Sequence, residues 1–566
     1  MSLMNGPISR LLLLASSATL AACAAQERPA TIATPAAMAA PVEVQILGLN
    51  DFHGNLETPA EAVPLTRPDG SVTRYRAGGA AQLAATLQRL RSGRQSVTVA
   101  AGDLIGATPL VSAYFLDEPT IRALSLAGLE IAAVGNHEFD KGGAELRRMQ
   151  EGGCEKHTTR QPCAVEPHQP AGFRYLAANV LTEGENTFFP ATAIRQLGPV
   201  KVGFIGMTLK ETASLVTPAG VAGLTFADEA ATANALVPKL KAEGADAIVL
   251  LIHQGGRVPP VYRTLGCEGL SGEIVPILEK LDPAIRVVVS GHTHHSYACD
   301  VETNGAPRLL TSAGRNGYLV SDIRLTFDPV SRQLVRASAE NVPVLAEREP
   351  AVQALVDRYV AAARPAASRI VGRLSKPALR NSEEGDSAAG ELIADAQLAA
   401  SRAPDRGGAE IAFINSGGVR TDLKPGPDGA ITYGQIFAMQ PFGNGLVVKT
   451  LSGAQLKAVL EQGFREQNGK VEPRAVLIPS EGFTYRYDLS RGSGERIVAM
   501  RLHGRPIDPA RRYRVTINNF LASGGDGYTR FAEGTDPFDA GLDLDALEAW
   551  LRTNPKVPEG RRIGGI

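Results

Sequence analysis

Short apolar runs that end in a carboxylate, amide or imidazole side chain recur through the first half of this chain of 566 residues. Each run is rich in β-branched residues, which predicts a buried strand, and a glycine that permits a tight turn usually stands beside the polar residue. The five runs are 42–49 before Asp51 and His53, 96–100 before Asp103, 131–134 before Asn136 and His137, 247–252 before His253, and 285–289 before His292 and His294. Oxygen and imidazole donors of this kind are ligands for divalent metal ions, so the pattern predicts metal-ion chemistry.

The elements that must position these side chains form an α/β arrangement. Helical patterns at 80–91 and 229–243 lie between the predicted strands, and in an α/β sheet ligands gather at the carboxyl ends of the strands. Five strand ends therefore bring their polar groups to one rim, which predicts a centre with two metal ions. Alone, Asp-x-His or Gly-Asp is an ordinary turn and Asn-His-Glu can cap a helix. All five in this order, each at a strand end, favour the metal centre.

These motifs resemble the five sequence blocks of the calcineurin-like metallophosphatases. The blocks are Asp51-x-His53, Gly102-Asp103, Gly135-Asn136-His137-Glu138-x-Asp140, His253 and Gly291-His292-x-His294. The segment LNDFHG at 49–54 has the form typical of the 5′-nucleotidase branch, of the UDP-sugar hydrolase and 5′-nucleotidase type. The resemblance implies a four-layer α/β/β/α metallophosphatase sandwich for residues 42–347.

The resemblance also implies a set of metal ligands. One divalent ion would be held by Asp51, His53, Asp103 and His294, and the other by Asp103, Asn136, His253 and His292, with Asp103 bridging. Mixed oxygen and nitrogen donors suit Mn, Zn, Fe, Co or Mg, and the sequence leaves the choice open. Some relatives have a glutamine where this chain has His294, so the metal preference stays open as well.

Centres of this kind hydrolyse bonds at phosphorus. Two ions ~3.5–4 Å apart activate a water molecule and stabilise both oxygens of an in-line displacement. If Asn136 is a ligand, His137 is not, and we expect its ring to act on the leaving oxygen as a general acid or charge stabiliser. Asp140 would orient that ring. The alternative for His137 is a packing role.

A helix is predicted at 348–368, between two regions of different composition. Pro350 suits its first turn, and one face carries Val352, Leu355, Val356, Tyr359 and Val360. That face could pack on either region, and we interpret the helix as a connector. Strand and turn patterns resume at 369–566.

Three glycine-rich loops follow strands in this second region, at 415–420, 438–444 and 518–528. Arg420 in such a loop suits bidentate recognition of phosphate. Phe442 and Phe520 could hold a base between them, and Asp526 can accept hydrogen bonds from sugar hydroxyls. The alternative is that both phenylalanines belong to the core, although the glycines beside them favour loops.

The second region is similar to the C-terminal domain of 5′-nucleotidases, which implies an α/β nucleotide-binding domain. The resemblance assigns Arg380 and Arg420 to phosphate, Asn415 and the two phenylalanines to the base, and Asp526 to ribose. The register of 381–390, the segment that follows Arg380, is left open. Metal ligands on one domain and substrate residues on the other require the domains to face each other, and the resemblance implies a hinge rotation about the connecting helix.

Residues 1–22 have the pattern of a secretory signal peptide. A basic residue precedes an apolar run of 12 residues at 11–22, well below the ~20 that a spanning helix needs. The Leu-Ala-Ala-Cys ending resembles a bacterial lipobox, which would make Cys23 a lipid anchor, and 23–41 is an Ala/Pro-rich tether. We expect an exported, periplasmic or cell-envelope lipoprotein; the alternative is an uncleaved membrane anchor.

Four further cysteines, Cys154, Cys163, Cys267 and Cys299, are an even number in an oxidising compartment. They allow three pairings, and sequence proximity favours 154 with 163 and 267 with 299. A four-cysteine zinc site is disfavoured because the chain has no C-x-x-C pair.

The charge and composition of the chain exclude some classes of protein. Lys and Arg number 58 against 59 Asp and Glu, a net charge of −1, and 44% of the residues are hydrophobic. These values exclude disorder over the whole chain. They also give no overall positive charge of the kind that binds a nucleic-acid polymer.

The expected partner is therefore a nucleotide, with the membrane reached only through the N-terminal lipid; the oligomeric state is open. We expect hydrolysis of nucleoside 5′-monophosphates, with UDP-sugars and nucleoside di- and triphosphates as further candidates. The alternatives are a 2′,3′-cyclic-nucleotide phosphodiesterase with 3′-nucleotidase activity, and a catalytically idle nucleotide-binding surface lipoprotein.

Overall fold

The structure is a computed structural model that describes residues 40–565, apart from 61, 159, 185, 346, 382–386, 468, 469, 474 and 475. The predicted signal peptide, Cys23 and all but the last two residues of the predicted tether lie outside the described residues. Within the described part, no helix is both long and apolar enough to cross a membrane.

The first domain contains a mixed six-stranded sheet. Its strands in spatial order are β16 (Leu334–Pro343), β15 (Leu319–Phe327), β1 (Val42–Leu49), β4 (Ser96–Ala101), β5 (Ile131–Ala133) and β6 (Arg174–Leu176). The last four are mutually parallel, and β15 and β16 are antiparallel additions beside β1. The carboxyl ends of β1, β4 and β5 therefore meet at one edge.

A second six-stranded sheet lies against the first. Its order is β13 (Ser296–Thr303), β14 (Ala306–Ala313), β12 (Ile285–Ser290), β11 (Ala247–His253), β9 (Val200–Thr208) and β8 (Thr192–Leu197). The four central strands are parallel. Side chains alternate along β1: Val44 and Ile46 belong to a core between the sheets, while Leu47 and Leu49 belong to another on the outer face.

Helices cover both outer faces. The first sheet packs against α1 (Ala80–Arg91), α3 (Glu118–Ala127), α4 (Gly143–Glu151) and α8 (Pro350–Ala367), and the second against α6 (Glu229–Ala242) and α7 (Ile274–Leu278). Two short helices, α2 (Leu110–Ala113) and α5 (Thr212–Leu215), lie in loops. The predicted four-layer α/β/β/α sandwich is therefore confirmed. Helix α8 lies at the predicted connector, and Val352, Leu355, Val356 and Tyr359 bury its apolar face in the first domain.

The second domain is built on a five-stranded sheet. Its order is β23 (Leu477–Pro479), β18 (Ile411–Asn415), β27 (Arg512–Asn518), β20 (Gly445–Ser452) and β28 (Thr535–Leu542). One face packs against α9 (Ala388–Ser401), α10 (Tyr433–Met439) and α13 (Asp543–Leu551), and the other against α11 (Gly453–Glu461) and α12 (Asn519–Ala522). Leu110 and Ala113 of α2 enter the core of this domain, so the two domains pack directly on each other.

Smaller sheets complete the fold. A four-stranded sheet has the order β26 (Arg505–Pro506), β25 (Ile497–Leu502), β24 (Phe483–Tyr487) and β29 (Ile563–Gly565). The two-stranded sheets pair β2 (Val63–Thr66) with β3 (Val72–Tyr75), β7 (Val180–Thr182) with β10 (Leu224–Phe226), β17 (Ile370–Arg373) with β19 (Ala430–Thr432), and β21 (Phe464–Gln467) with β22 (Lys470–Pro473).

Both favoured disulfides are present, Cys154 with Cys163 and Cys267 with Cys299. The pairing by sequence proximity is confirmed. Two disulfides in one chain are typical of proteins that fold outside the cytosol.

Candidate metal centre and substrate cavity

The candidate metal ligands stand where strands of the two sheets end. Five of them adopt the left-handed backbone conformation that non-glycine residues rarely use, with φ between 45° and 69°: Asp51, His53, Asp103, His292 and His294. Each such conformation costs of the order of 1 kcal/mol and persists only where the surroundings enforce it. Backbone strain concentrated at these five residues is typical of a functional site.

The first group of donors is formed by Asp51, His53 and His294, whose ligand atoms lie within 4.8 Å of one another. The Nε2 atoms of the two histidines are 3.2 Å apart, and Nε2 of His294 is 3.3 Å from Oδ1 of Asp51. Nδ1 of His53 donates its hydrogen to the carbonyl oxygen of Gly106 at 2.9 Å. Its Nε2 therefore carries a lone pair directed at the other two donors, as a metal ligand must.

The second group is formed by Asp103, His253 and His292. Nδ1 of His253 donates to the carbonyl oxygen of Ala101 at 2.8 Å, which again leaves Nε2 as the donor atom. That Nε2 is 3.0 Å from Oδ2 of Asp103 without the alignment of a hydrogen bond.

Asn136 and Asp103 complete the donor set. Oδ1 of Asn136 and Nε2 of His253 are buried without a hydrogen-bond partner among the described residues, a costly arrangement unless a cation is bound. Oδ2 of Asp103 also lies 3.7 Å from Nε2 of His53, so this carboxylate stands between the two groups. The donor set fits two divalent ions, and the bridging role of Asp103 remains a prediction.

Glu138 holds together the two loops that carry Asp103 and Asn136. Its carboxylate accepts backbone N–H groups from Gly135 at 2.6 Å, Asp103 at 2.9 Å and Leu104 at 2.7 Å. Burial and the charge of Asp103 raise the pKa of Glu138 to about 7, although these hydrogen bonds oppose the shift. The carboxylate thus fixes the spacing of two ligands without being a ligand itself.

Gly135 allows the close approach of these loops. A Cβ atom there would lie 2.2 Å from Oδ1 of Asp103, inside van der Waals contact, so no larger residue fits.

The ring of His137 contacts one residue of its own domain and one of the second domain. Nδ1 of His137 lies 2.8 Å from Oδ2 of Asp140. Burial lowers the pKa of His137, but the charges of Asp140 and Asp103 outweigh it and raise the pKa above its ordinary value. On its other side the ring stacks on Phe442 of the second domain, with centroids 6.0 Å apart and an interplanar angle of 20°. The ring of His137 thus lies where the two domains meet.

One cavity of ≈ 300 Å³ joins the metal centre to the second domain. Its lining includes Asn136, His137, Asp140, His292, Asn415, Arg420, Phe442, Phe520 and Asp526. Residues predicted for chemistry and residues predicted for substrate binding therefore border the same space, and their individual roles remain predictions.

The polar groups of the second domain are linked to each other. Nδ2 of Asn415 donates to Oδ2 of Asp526 at 2.6 Å, and Nδ2 of Asn518 donates to Oδ1 of Asn415 at 3.2 Å. Burial, with the neighbouring charges of Arg380 and Arg315, lowers the pKa of Arg420 to about 10. Arg420 is therefore still a cation at neutral pH and suited to an anion.

Among the residues predicted to bind substrate, Arg380 does not line this cavity as the structure describes it. Its charge nevertheless acts on Arg420, and its backbone N–H donates to Oδ1 of Asp422 at 2.8 Å. Its assignment to phosphate remains a prediction.

Sequence reasoning missed Arg315. Its Nη1 lies 3.4 Å from Nδ1 of His294, and its Nε is buried without a hydrogen-bond partner among the described residues. Arg315 follows β14 and Gly314, the same sequence of a strand, a glycine and a polar side chain that indicated the metal ligands.

Two family models match the chain, one for each domain. The model described as calcineurin-like phosphoesterase matches residues 44–296, and the model described as 5′-nucleotidase, C-terminal domain, matches residues 365–533. The chain belongs to the 5′-nucleotidase family. A solved relative in this family, the 5′-nucleotidase precursor from Thermus thermophilus, has 26% sequence identity and a TM-score of 0.75, covering 93% of this chain and 99% of its own.

Longer proteins also resemble this 5′-nucleotidase-family chain. Endonuclease YhcR of Bacillus subtilis is 30% identical over 525 residues, which are 90% of this chain and 40% of the relative. The cell wall protein Lmo0130 of Listeria monocytogenes is 29% identical over 548 residues, 89% of this chain and 66% of the relative. The chain thus spans less than two thirds of the length of these two relatives.

Proposed function

We propose that this protein is a two-metal phosphohydrolase that releases phosphate from nucleoside 5′-monophosphates. The carrying observation is the shared cavity: Asn136 and His292 of the metal centre and the Asp140-oriented ring of His137 border the same space as Arg420 and Phe442. The first donor set adjoins this wall through Asp103, which stands between the two groups of donors. The membership in the 5′-nucleotidase family supports the same class of reaction.

The metal centre and His137 divide the chemistry between them. Divalent ions held by the two donor sets would lower the pKa of water and stabilise the charge that develops on the phosphoryl oxygens. His137 donates its proton to the leaving ribose oxygen, and Asp140 keeps the ring in the orientation for that transfer. Proton donation avoids expelling an alkoxide, which is the costly part of cleaving an alkyl phosphate.

Residues of the second domain hold the nucleotide. Arg420 pairs with the phosphoryl oxygens through its planar guanidinium. Phe442 and Phe520 stack on the base, at about 1–3 kcal/mol for each stacked base. Asp526 accepts a hydrogen bond from a ribose hydroxyl. This bond replaces the one that Asp526 accepts from Asn415 in the structure.

The shape of the cavity favours a small substrate over a polymer. Its ≈ 300 Å³ is at the lower end of the range of small-molecule pockets, and both domains enclose it. A net charge of −1 also means that the chain has no overall excess of positive charge with which to bind a phosphate backbone. The similarity to a relative named an endonuclease makes nucleic acid the second candidate substrate, to be tested beside nucleotides.

A substrate panel tests the proposal. Phosphate release is measured from AMP, UMP, ATP, UDP-glucose, a 3′-nucleotide and a 2′,3′-cyclic nucleotide, with DNA cleavage followed in parallel, after chelation and with each metal restored. We expect metal-dependent release that is fastest from the 5′-monophosphates. Preference for the 3′- or cyclic substrates would favour the phosphodiesterase alternative, and no metal-dependent release from any substrate would overturn the enzyme assignment.

We also propose that the enzyme acts outside the cytoplasm, attached through a lipid on Cys23. The two disulfides and the Leu-Ala-Ala-Cys segment support this location. In cell fractions, the wild-type protein should sediment with membranes and Cys23→Ser should be soluble. An N-terminal peptide that still contains residues 1–22 would contradict the proposal.

Domain rotation about α8 completes the proposed cycle. Helix α5 of the first domain contacts the turn at 525–527 of the second, which closes the cavity on that side. A disulfide engineered across this contact should abolish steady-state turnover, because substrate can no longer enter and product can no longer leave, and reduction of the disulfide should restore it. Undiminished turnover of the cross-linked enzyme would refute the rotation.

A further inference from the structure

A disulfide-closed loop of the first domain forms part of the cavity wall. The loop runs from Cys154 to Cys163 and carries Arg160, whose side chain lines the same cavity as His137 and Asn136. The function of Arg160 is not explained by the metal centre or by the residues assigned to phosphate, base and ribose.

The loop is held in place by buried charged groups as well as by its disulfide. Glu118 accepts the backbone N–H of Cys163 at 3.0 Å and the Nη1–H of Arg148 at 2.7 Å. Nη1 of Arg148 also donates to the carbonyl oxygen of Gly153, at the other end of the loop, at 2.8 Å. Both ends of the loop are therefore attached to α3 and α4, so Arg160 is carried on a fixed support.

Arg160 is half-buried and its guanidinium has no acidic partner among the described residues. It lies over the ring of Tyr114, with Cζ 5.0 Å from the ring centroid, and no carboxylate of the described residues comes within 4.0 Å of it. Lys141, the other basic residue near this part of the lining, is already neutralised, since its Nζ lies 2.6 Å from Oδ2 of Asp117. Arg420 is assigned to the phosphoryl group at the metal centre, so Arg160 is a second cation of this cavity without an acidic partner among the described residues.

The charge of Arg160 also reaches the second domain. Burial raises the pKa of Tyr433 on α10, and the positive charge of Arg160 opposes that rise. The guanidinium therefore stands beside the domain interface, where a bound substrate touches both domains.

We propose that Arg160 is a second anion-binding position of the cavity, which recognises a negatively charged group of the substrate other than the phosphoryl group at the metal centre. The chemical class is a nucleotide with at least two phosphoryl groups. Arg160 is then a specificity-determining residue: it strengthens binding of diphosphates and leaves monophosphates unaffected. This inference rests on the proposed function, because it concerns the same cavity.

The test compares Arg160→Gln with Lys156→Gln, which removes an equal charge from an exposed position of the same loop. Two probes are used: AMP, for kcat/KM, and the α,β-methylene analogue of ADP, for the dissociation constant measured by calorimetry with metal present. We expect R160Q to weaken binding of the analogue about 10- to 100-fold and to leave kcat/KM for AMP within about two-fold. K156Q should change neither value.

An unchanged dissociation constant in R160Q, or an equal loss for both probes, would overturn the inference. Failure of the proposed function is distinguishable from this: a wild-type protein that does not hydrolyse AMP but binds the analogue through Arg160 leaves the inference standing. Melting temperatures confirm that the variants fold. Should R160Q not fold, Arg160→Lys replaces it, since it keeps the charge but loses the paired N–H donors, and equal binding by R160K and wild type would then overturn the inference.

Discussion

The carboxylate of Glu138 offers a sharp test of how the metal-binding loops are held. It is 2% exposed and accepts three short backbone hydrogen bonds, one from the loop after β5 and two from the loop after β4. Those loops carry Asn136 and Asp103. Glu138→Gln preserves the size of the side chain and changes only its charge and one of its acceptor atoms.

The size of the effect follows from the hydrogen bonds that are lost. The NH₂ group of glutamine would face backbone N–H donors, so at least one buried donor loses its acceptor, at a cost of about 1–3 kcal/mol. The bonds that remain change from charge-assisted to neutral and lose roughly half their strength. Glutamine also removes a charge that burial and Asp103 disfavour, an opposing gain of about 3 kcal/mol at pH 7 that follows from the raised pKa of Glu138. We therefore expect the free energy of unfolding of the metal-free protein to change by no more than about 2 kcal/mol, or about 2 °C in melting temperature, and the main loss to fall on metal affinity.

Thermal unfolding of the metal-free protein measures this effect, with Glu151→Gln as the control because Glu151 is exposed at the end of α4. Metal affinity of E138Q should fall, since the spacing of Asp103 and Asn136 is no longer fixed. Unchanged metal affinity in E138Q would refute the reasoning, and a melting temperature many degrees below that of wild type would contradict the balance between the lost hydrogen bonds and the removed charge.

Three further predictions concern catalysis, binding and pH. His137→Ala should lower kcat for AMP about 10²- to 10⁴-fold, and much less for 4-nitrophenyl phosphate, whose leaving group needs no proton; equal losses in steady-state assays would exclude proton donation. Phe442→Ala should raise KM for AMP about five- to 100-fold while kcat changes little, because a stacked base is worth about 1–3 kcal/mol; an unchanged KM would remove Phe442 from the base site. Burial raises the pKa of Asp543 from 3.8 to about 7, so the folded state keeps a proton that the unfolded state has lost, and this group should reduce stability as pH rises from about 4 to about 7. Denaturant unfolding should show Asp543→Asn gaining about 1.4 kcal/mol on wild type for each pH unit in that window, and parallel curves would contradict the shift.

The strands and their ligands could be predicted because the signals are local. β1 and α1 have the predicted bounds, and a β-branched run followed by glycine and a polar residue marks a strand end wherever it occurs. Parallel strands bring such ends to one edge, so Asp51 and Asp103 were predictable neighbours.

Contacts between the domains were not predictable in the same way. Phe442 lies against His137, and Arg160 borders the cavity, because two separately folded domains pack together. No periodicity in the sequence records which loops meet across such an interface. The function of Glu138 was hidden for a related reason, since its partners are backbone N–H groups, which every residue type except proline supplies.

Titration of the metal-free protein with Mn²⁺ tests the central claim most directly. Bound metal is counted by elemental analysis, and phosphate release from AMP is followed on the same samples. The two donor sets predict that two ions bind per chain and that release rises with the second ion. Release that survives complete chelation, or that is full with a single bound ion, would contradict a two-metal phosphohydrolase.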